Sequence, residues 1–480
     1  MNRNLLFLLF AIVIYIAGCG ISPQYTRPEA PIASEWPFGE VCQESKTAVI
    51  ALKASELRWQ EFFTDERLKE LIHKALNNNR DLRLAALNAE KARVLYGIQR
   101  KEQFPSVNAI GSGIRNRVPA DISNTENAVT SEQYSVDLGI SSWEIDFFGR
   151  IRNLKDTALE QYLATEQAQQ SAQIALISAI ADTYMNLAAD REHLKLAKST
   201  LAAQRKSYEL IRRRCKVGLA PELDLRRAQT QVAVALGDIA RFKQLAAQDE
   251  NALNLLVGSP SALPDEALPE DLTSIKAPKE LSPGMPSEVL LNRPDILSGE
   301  HRLKAANANI GAARASLFPR IALTTYLGTA SSELSGLFTS GSRTWSFAPQ
   351  ITMPIFDSRL WLAYKATKVE REIALTEYER AIQAAFREVA DVLSVLNTVE
   401  SQLSAQKSVV GSVAETYRLS KTLYNKGIDS YLSVLDAQRS LYSAEQGLIS
   451  ISLARLVNKV RLYAVLGGGG DLTSKEPPGS

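Results

Sequence analysis

Two stretches hold the residues best placed to do chemistry. They are CKVGLAPELDLRRAQTQVAVAL, residues 215–236, and YNKGIDSYLSVLDAQRSLYSAE, residues 424–445. Each carries a glycine, Gly218 or Gly427, then a short turn, then charged side chains at helical spacing. Leu432 and Asp436 are four apart and therefore share one helix face. Asp224, Arg439 and Tyr424 add a carboxylate, a guanidinium and a phenol. Such groups attract, repel and hydrogen-bond; they do not by themselves make or break covalent bonds. The bland alternative is plain solvated helix surface. Catalysis finds no footing elsewhere: the chain shows no phosphate loop, metal cluster or paired base. His73, His193 and His301 lie far apart in helix-like stretches and read as surface histidines.

The cysteines say more. MNRNLLFLLFAIVIYIAGC opens the chain with Arg3, an apolar run from Leu5 to Ile16 and small residues, a secretory signal too short for a spanning helix. Ala17-Gly18 before Cys19 resembles a bacterial lipobox, which implies cleavage before Cys19 and a covalent lipid there. Gly20 stands where an inner-membrane retention signal would place aspartate, so the outer membrane is implied. Cys42 and Cys215 leave a disulfide open in an oxidising compartment. Beyond Cys19 no eighteen-residue apolar run occurs, so no spanning helix is expected. A net charge of +2 with 22% charged residues argues against a nucleic-acid partner.

The elements that must hold these residues are written twice in the chain. A shift of about 209 residues lays Phe147–Gln229 on Phe356–Gln438 without a gap and puts Gly258 on Gly467. A slightly larger shift pairs Asp81 with Asp295 and Phe104-Pro105 with Phe318-Pro319. Each copy predicts a helix (about 65–102 and 293–317) ended by Phe-Pro, two strands, a very long helix, the quoted turn, and a shorter helix ending in glycine. Ile180, Leu187, Leu194, Leu201, Tyr208 and Cys215 lie seven apart, as do Val389, Leu396, Leu403, Val410, Tyr417 and Tyr424. That period predicts side-by-side helices with a left-handed supercoil. At 1.5 Å per residue a helix from Gly149 to Lys216 spans roughly 100 Å, the length of a tube or rod.

Strands are predicted at about 105–118, 133–145, 319–330 and 344–354. In QYSVDLGISSW, Tyr134, Val136, Leu138 and Ile140 alternate with polar or small residues. In TWSFAPQITM, Trp345, Phe347, Ile351 and Met353 do the same. Apolar out and polar in is the pattern of a lipid-facing, water-lined barrel strand, though a half-buried soluble sheet shares it. Four strands cannot close a barrel, and open edges are forbidden in lipid, so the chain must assemble. Eight strands from two copies or twelve from three remain open at this point.

The residues then resemble the TolC-type outer-membrane efflux proteins, in their OprM/NodT-like lipoprotein branch. The likeness covers nearly the whole mature chain. It rests on GCGISPQYTRPEAP, the duplicated Phe-Pro, DFFGR at 146–150, YNKGIDSYLSVLDAQRSLY and LYAVLGGG. The resemblance implies a fold that is mainly α with a membrane β-barrel portion: a homotrimer with a twelve-stranded barrel, four strands per chain, above a helical periplasmic tunnel. It implies a signal peptide at 1–18 and a lipidated segment, 19–64, around the tunnel's middle. Two repeats follow, 65–258 and 293–467, joined by an equatorial linker at 259–292; a disordered tail, 468–480, ends the chain. The quoted turns become six periplasmic tips. Leu432, Asp436 and Tyr424 become pore-gate residues and Asp224 with Arg439 a latch. The basic run Arg212, Arg213, Arg214 and Lys216 complements a helix dipole or docks an adaptor. Function is then expected to be passive export of small molecules, without catalysis and with no cofactor beyond the lipid on Cys19. Implied partners are a periplasmic adaptor and an inner-membrane pump, of the RND type. The competing expectation is a lipid-anchored coiled-coil tether without a pore.

Overall fold

The computed structural model describes residues 23–33, 36, 57–124, 126–281 and 290–470. Signal, lipidation and pairing expectations that fall on Cys19 and Cys42 lie outside them. The described elements run α1 (Trp59–Phe62), α2 (Glu66–Asn78), α3 (Arg80–Lys101), β1 (Val107–Val118), β2 (Val129–Ile145), α4 (Arg150–Lys216) and α5 (Glu222–Val257). The second copy follows as α6 (Pro294–Ala315), β3 (Arg320–Ser331), β4 (Arg343–Thr352), α7 (Ser358–Asn425) and α8 (Tyr431–Val465). Two compact units emerge: residues 1–29, 88–165 and 298–378 form one, and the remaining segments form the other. No described helix is long and apolar enough to cross a membrane.

One helix expected from about 65 to 102 is instead two. Asp65 caps α2 by accepting from the Leu68 amide (3.1 Å), but Asn79 turns extended (φ −62°, ψ 131°) and stops it. Asn79 then restarts the chain, its side-chain oxygen accepting from the Leu82 amide at 2.9 Å. Asparagine does this readily because its side chain competes with the backbone for hydrogen bonds. Along α4 and α7 every residue of the two seven-residue seams is buried or half-buried, as the supercoil pattern requires.

The first unit is built on one antiparallel sheet in the order β1-β2-β3-β4. Register places Ala109, Leu138, Leu327 and Trp345 in one row, and Val107, Ile140, Thr325 and Phe347 in the next. The opposite face carries Asn108, Ser112, Ser135, Asp137, Tyr326, Thr344 and Ser346, with the Ser112 and Ser135 hydroxyls 2.9 Å apart. β2 begins at Val129, four residues earlier than its alternation indicates. Its alternation also fails at Ser141-Ser142, and a bulge there is the reason. Between the pairs Ile140–Thr325 and Trp143–Leu323, β2 has one extra residue. Ser142 takes φ 53° and donates its amide to the Thr324 hydroxyl at 3.1 Å. The bulge returns Trp143 and Ile145 to the apolar face that plain alternation would have denied them. The same unit holds the N-terminal segment: Tyr25 and Arg27 donate to the Glu300 carboxylate, and the Pro23 carbonyl accepts from Asn307 at 2.9 Å.

The second unit repeats one lock in two chemistries. Asn79 donates to the Leu256 carbonyl at 2.9 Å, near the end of α5. Arg293, its counterpart, donates to the Val465 carbonyl at 2.9 Å, the last residue of α8. The glycines two residues beyond these carbonyls, Gly258 and Gly467, have φ of 69° and 81°, the left-handed cap that ends each returning helix. Gly258 also packs so closely that a Cβ would lie 2.6 Å from the Asn78 carbonyl. Gly468–Gly470, assigned to the tail from sequence, belong to this packing; the Gly469 carbonyl accepts from Gln173 at 2.8 Å. The core nearby stacks Phe62 on Tyr463 with centroids 4.0 Å apart, and Tyr463 donates to the Leu57 carbonyl. Full burial of each such ring contributes roughly 2–3 kcal/mol.

The histidines are not all surface residues. His73 is exposed, but His193 is half-buried and stacked on Phe242 at 4.8 Å, and His301 meets Glu160 at 2.7 Å. A ring with an apolar body packs where a helix face needs area, whatever its charge potential.

Burial first, then the neighbouring Asp190 and Glu250 charges, push the Asp249 carboxyl up to about 6. Burial raises Asp182 to about 6 as well, against the pull of Arg461. Both bind a proton more tightly folded than unfolded, where carboxylates titrate near 4. Their contribution to stability therefore grows as pH falls from about 7 towards 4, and is lost as pH rises through about 6. Asp249→Asn should remove part of this slope. Urea midpoints measured at about pH 5 and pH 7.5 should lie closer together in the variant once its difference from wild type is taken. An identical pH dependence in both proteins would show that Asp249 ionises freely.

Candidate functional site

The two hairpin turns form at Gly218 and Gly427 by the same hydrogen bonds. Gly218 donates to Cys215 (3.1 Å) and Leu219 to Arg214 (2.8 Å). Gly427 donates to Tyr424 (3.0 Å) and Ile428 to Leu423 (3.0 Å). These are Schellman pairs, which need the left-handed φ of 78° and 75° seen at the two glycines. Open space surrounds both, so conformation and not crowding calls for glycine. The next turns differ. Ala220-Pro221 leads into α5 without a side-chain cap, whereas Asp429 accepts from the Ser430 amide (2.6 Å) and the Ser433 hydroxyl (2.9 Å).

The hairpins pack on each other through Ile211 and Ala228 of the first and Tyr431, Val434 and Leu435 of the second. That buried face fixes the opposite one. Leu432, Asp436 and Arg439 follow one another at helical steps of four and three, and all are exposed. Arg439 reaches Asp436 at 3.9 Å and, with the Gln231 amide turned so that its oxygen accepts, donates to Gln231 at 2.6 Å. Asp224 is mostly covered and faces Arg227 at 3.5 Å in the first turn of α5, where a carboxylate also suits the helix dipole. The chain does not bring Asp224 and Arg439 together within itself. Tyr424 enters through its ring, 5.5 Å from Tyr431 and 5.0 Å beneath the Arg214 guanidinium. Burial raises the Tyr431 hydroxyl, which has no hydrogen-bond partner among the described residues. Of the basic run, Arg212 pairs with Glu209 (2.7 Å) and Arg214 covers Tyr424, so two of its four cations serve local packing.

Sequence reading passed over Gln231 and Tyr431. Both sit at apolar-face steps from Ala228 and Val434, and a polar residue on such a face is the signal that was there to find. Cys215 carries a free, half-buried thiol. Among the described residues no group of side chains could hold a metal ion. What the tip offers is an exposed face with an apolar residue, an acid and a base in sequence, and a buried face that holds it rigid.

A sequence profile of the family described as "Outer membrane efflux protein" matches residues 71–259 and 285–468. A probable efflux pump outer membrane protein of Pseudomonas putida, TtgC, is 45% identical over 98% of this chain and 96% of its own length. A crystal structure of a membrane protein from Pseudomonas aeruginosa superposes with a TM-score of 0.87 at 40% identity, covering 94% of this chain and 98% of the other. The open state of the Neisseria gonorrhoeae MtrE outer membrane channel gives 0.84 at 35% identity, covering 95% and 100%.

Proposed function

The chain belongs to the outer membrane efflux protein family, and from that premise we propose that three copies close into one passive exit duct. Twelve strands form the barrel and six helical hairpins the periplasmic entrance. An inner-membrane pump of the RND type, joined through a periplasmic adaptor, supplies the energy for exporting small molecules. The duct is not an enzyme and needs no cofactor; Cys19 carries a covalent lipid. One observation carries this reading: a four-stranded sheet whose two edges pair with no other strand among the described residues, and whose faces differ in polarity along β2, β3 and β4. In lipid those edges must be paired, and only other copies of the chain offer matching strands. The attachment of Tyr25 and Arg27 to Glu300 supports a lipid on Cys19, because it holds the chain a few residues further on in the unit that contains the sheet. A tether without a pore has no use for a sheet that is polar on one side.

At the entrance, Leu432 and Asp436 supply an apolar and an acidic ring, with Tyr424 bracing the hairpin behind them. Asp224 of one copy meets Arg439 of the next as the latch, since neither finds the other within one chain. Planar-bilayer recording tests the duct and the latch together. The wild-type trimer should conduct weakly, and Asp224→Ala and Arg439→Ala should each raise conductance severalfold, because a desolvated charged pair is costly to lose. If only Arg439→Ala acts, Arg439 merely screens Asp436 and the latch is wrong. A purified trimer that never conducts, in any variant, removes the duct itself.

A further inference from the structure

The helices that join the sheet all meet it at one end: α3 enters β1, β2 leads into α4, α6 enters β3, and β4 leads into α7. Two turns, 119–128 and 332–342, close the other end. Towards that second end the apolar face changes its chemistry. Along β4 it presents Ile351, Phe347 and Trp345, then Arg343. Along β1 it presents Val107, Ala109, Gly111 and Gly113, then Arg115 and Arg117. Register keeps all three arginines on this face, because Arg115 stands opposite Glu132, Arg117 opposite Thr130 and Arg343 opposite Thr329. They are exposed, and Trp345, Phe347 and Ile351 beside them are each more than half exposed. Glu132 holds Arg115 at 2.9 Å. Arg117 and Arg343 have no ion-pair partner among the described residues; the turn acids Asp121, Glu126 and Glu333 pair with neither.

We propose that Arg117 and Arg343 bind the phosphate groups of an outer-leaflet lipid. The proposal rests on the closed-barrel reading above, which sends the helices into the periplasm and the two turns to the cell surface. Closure also sets the edge arginines of neighbouring copies on one stretch of rim. Height agrees. Met353 and Arg343 are ten residues apart. At about 3.3 Å per residue and a tilt of about 40°, that is about 25 Å, the height of a barrel's apolar band. The arginines therefore stand where hydrocarbon gives way to headgroups. Chemistry narrows the ligand further. A guanidinium fork matches phosphate oxygens, and cations at a membrane surface draw anionic headgroups. A zwitterionic lipid brings its own cation and has less use for two bare ones. The acyl chains of the bound lipid run down over Trp345, Phe347 and Leu327, all exposed on the same face. A soluble anion would meet the arginines but gain nothing from that apolar surface, so the site is one for lipid.

Native mass spectrometry of the detergent-extracted full chain, titrated with bisphosphorylated lipid A, tests the site. Arg117→Gln combined with Arg343→Gln should weaken binding roughly thirtyfold. Arg117→Lys with Arg343→Lys keeps the charge without the fork and should lose only a few-fold. Arg359→Gln, an equally exposed arginine at the helix end of the sheet, should bind as wild type does. Lipid A stripped of both phosphates should bind wild type and the glutamine variant alike, and weakly. Equal binding of bisphosphorylated lipid A by wild type and the glutamine variant overturns the proposal, because the arginines are then spent on acids of the next copy. Tight binding of the stripped lipid overturns it as well, and so does displacement by millimolar inorganic phosphate, which marks a plain anion site. The same spectra give the oligomer's mass: monomeric material overturns the barrel closure, and the proposal falls with it.

Discussion

Arg293→Met should lower unfolding stability by about 3 kcal/mol, the low end of the range for breaking a buried ion pair. The side chain is one-tenth exposed and uses four of its five N–H donors on three partners. It holds Asp295 bidentately (3.0 and 2.7 Å), Glu388 at 3.0 Å and the Val465 carbonyl at 2.9 Å. Both carboxylates keep some solvent, which moderates the loss; the helix-end carbonyl does not recover so easily. Methionine matches the length, so packing loss stays small and the polar loss dominates. Arg293→Lys keeps the charge but not the planar fork and should fall between. Asn79→Ala, the neutral version of the same lock, should cost only about 1–2 kcal/mol, one cap and one hydrogen bond. Urea midpoints of the three variants should rank in that order. An Arg293→Met protein as stable as wild type would mean that the lock is ornamental.

This lock shows where sequence reading stops. The duplication, the long helices and both glycine turns are local or periodic, and side chains seven apart announce their own partners. Asn79 and Arg293 occupy equivalent places and grip equivalent carbonyls, yet an amide and a guanidinium share no letter that alignment would match. Only the fold shows that Leu256 and Val465 stand in reach. The bulge at Ser142 was hidden for a related reason: serine is not a residue that left-handed backbone usually selects, and the need for it arises from β3 across the sheet. Strand faces on either side were legible because alternation repeats over many residues. At the tip, the exposed face of Leu432 and Asp436 follows from spacing alone. The partners of Asp224 and Arg439 do not, since Arg227, Asp436 and Gln231 compete for them inside one chain.

That competition shapes the last expected result. In the proposed trimer three Asp436 carboxylates ring the entrance, each beside an Arg439 guanidinium 3.9 Å away and shared with Gln231. At about 6 Å in a wet pore each unscreened carboxylate favours a monovalent cation by on the order of 1 kcal/mol. Three would favour it by about 3 kcal/mol, reduced by salt and by Arg439. Asp436→Asn should therefore cut the cation-over-anion permeability ratio by roughly three- to tenfold. It also leaves Arg439 unopposed, so the ratio should fall below that of a neutral pore. Arg439→Ala should move it the other way, because the acids lose their screen. Asp436→Glu, one methylene longer on the same face, should keep the preference. Reversal potentials across a potassium chloride gradient read all three. If Asp436→Asn leaves the reversal potential where it was, the Leu432–Asp436 face looks away from the pore, and the orientation fixed here by the buried Tyr431, Val434 and Leu435 must be abandoned.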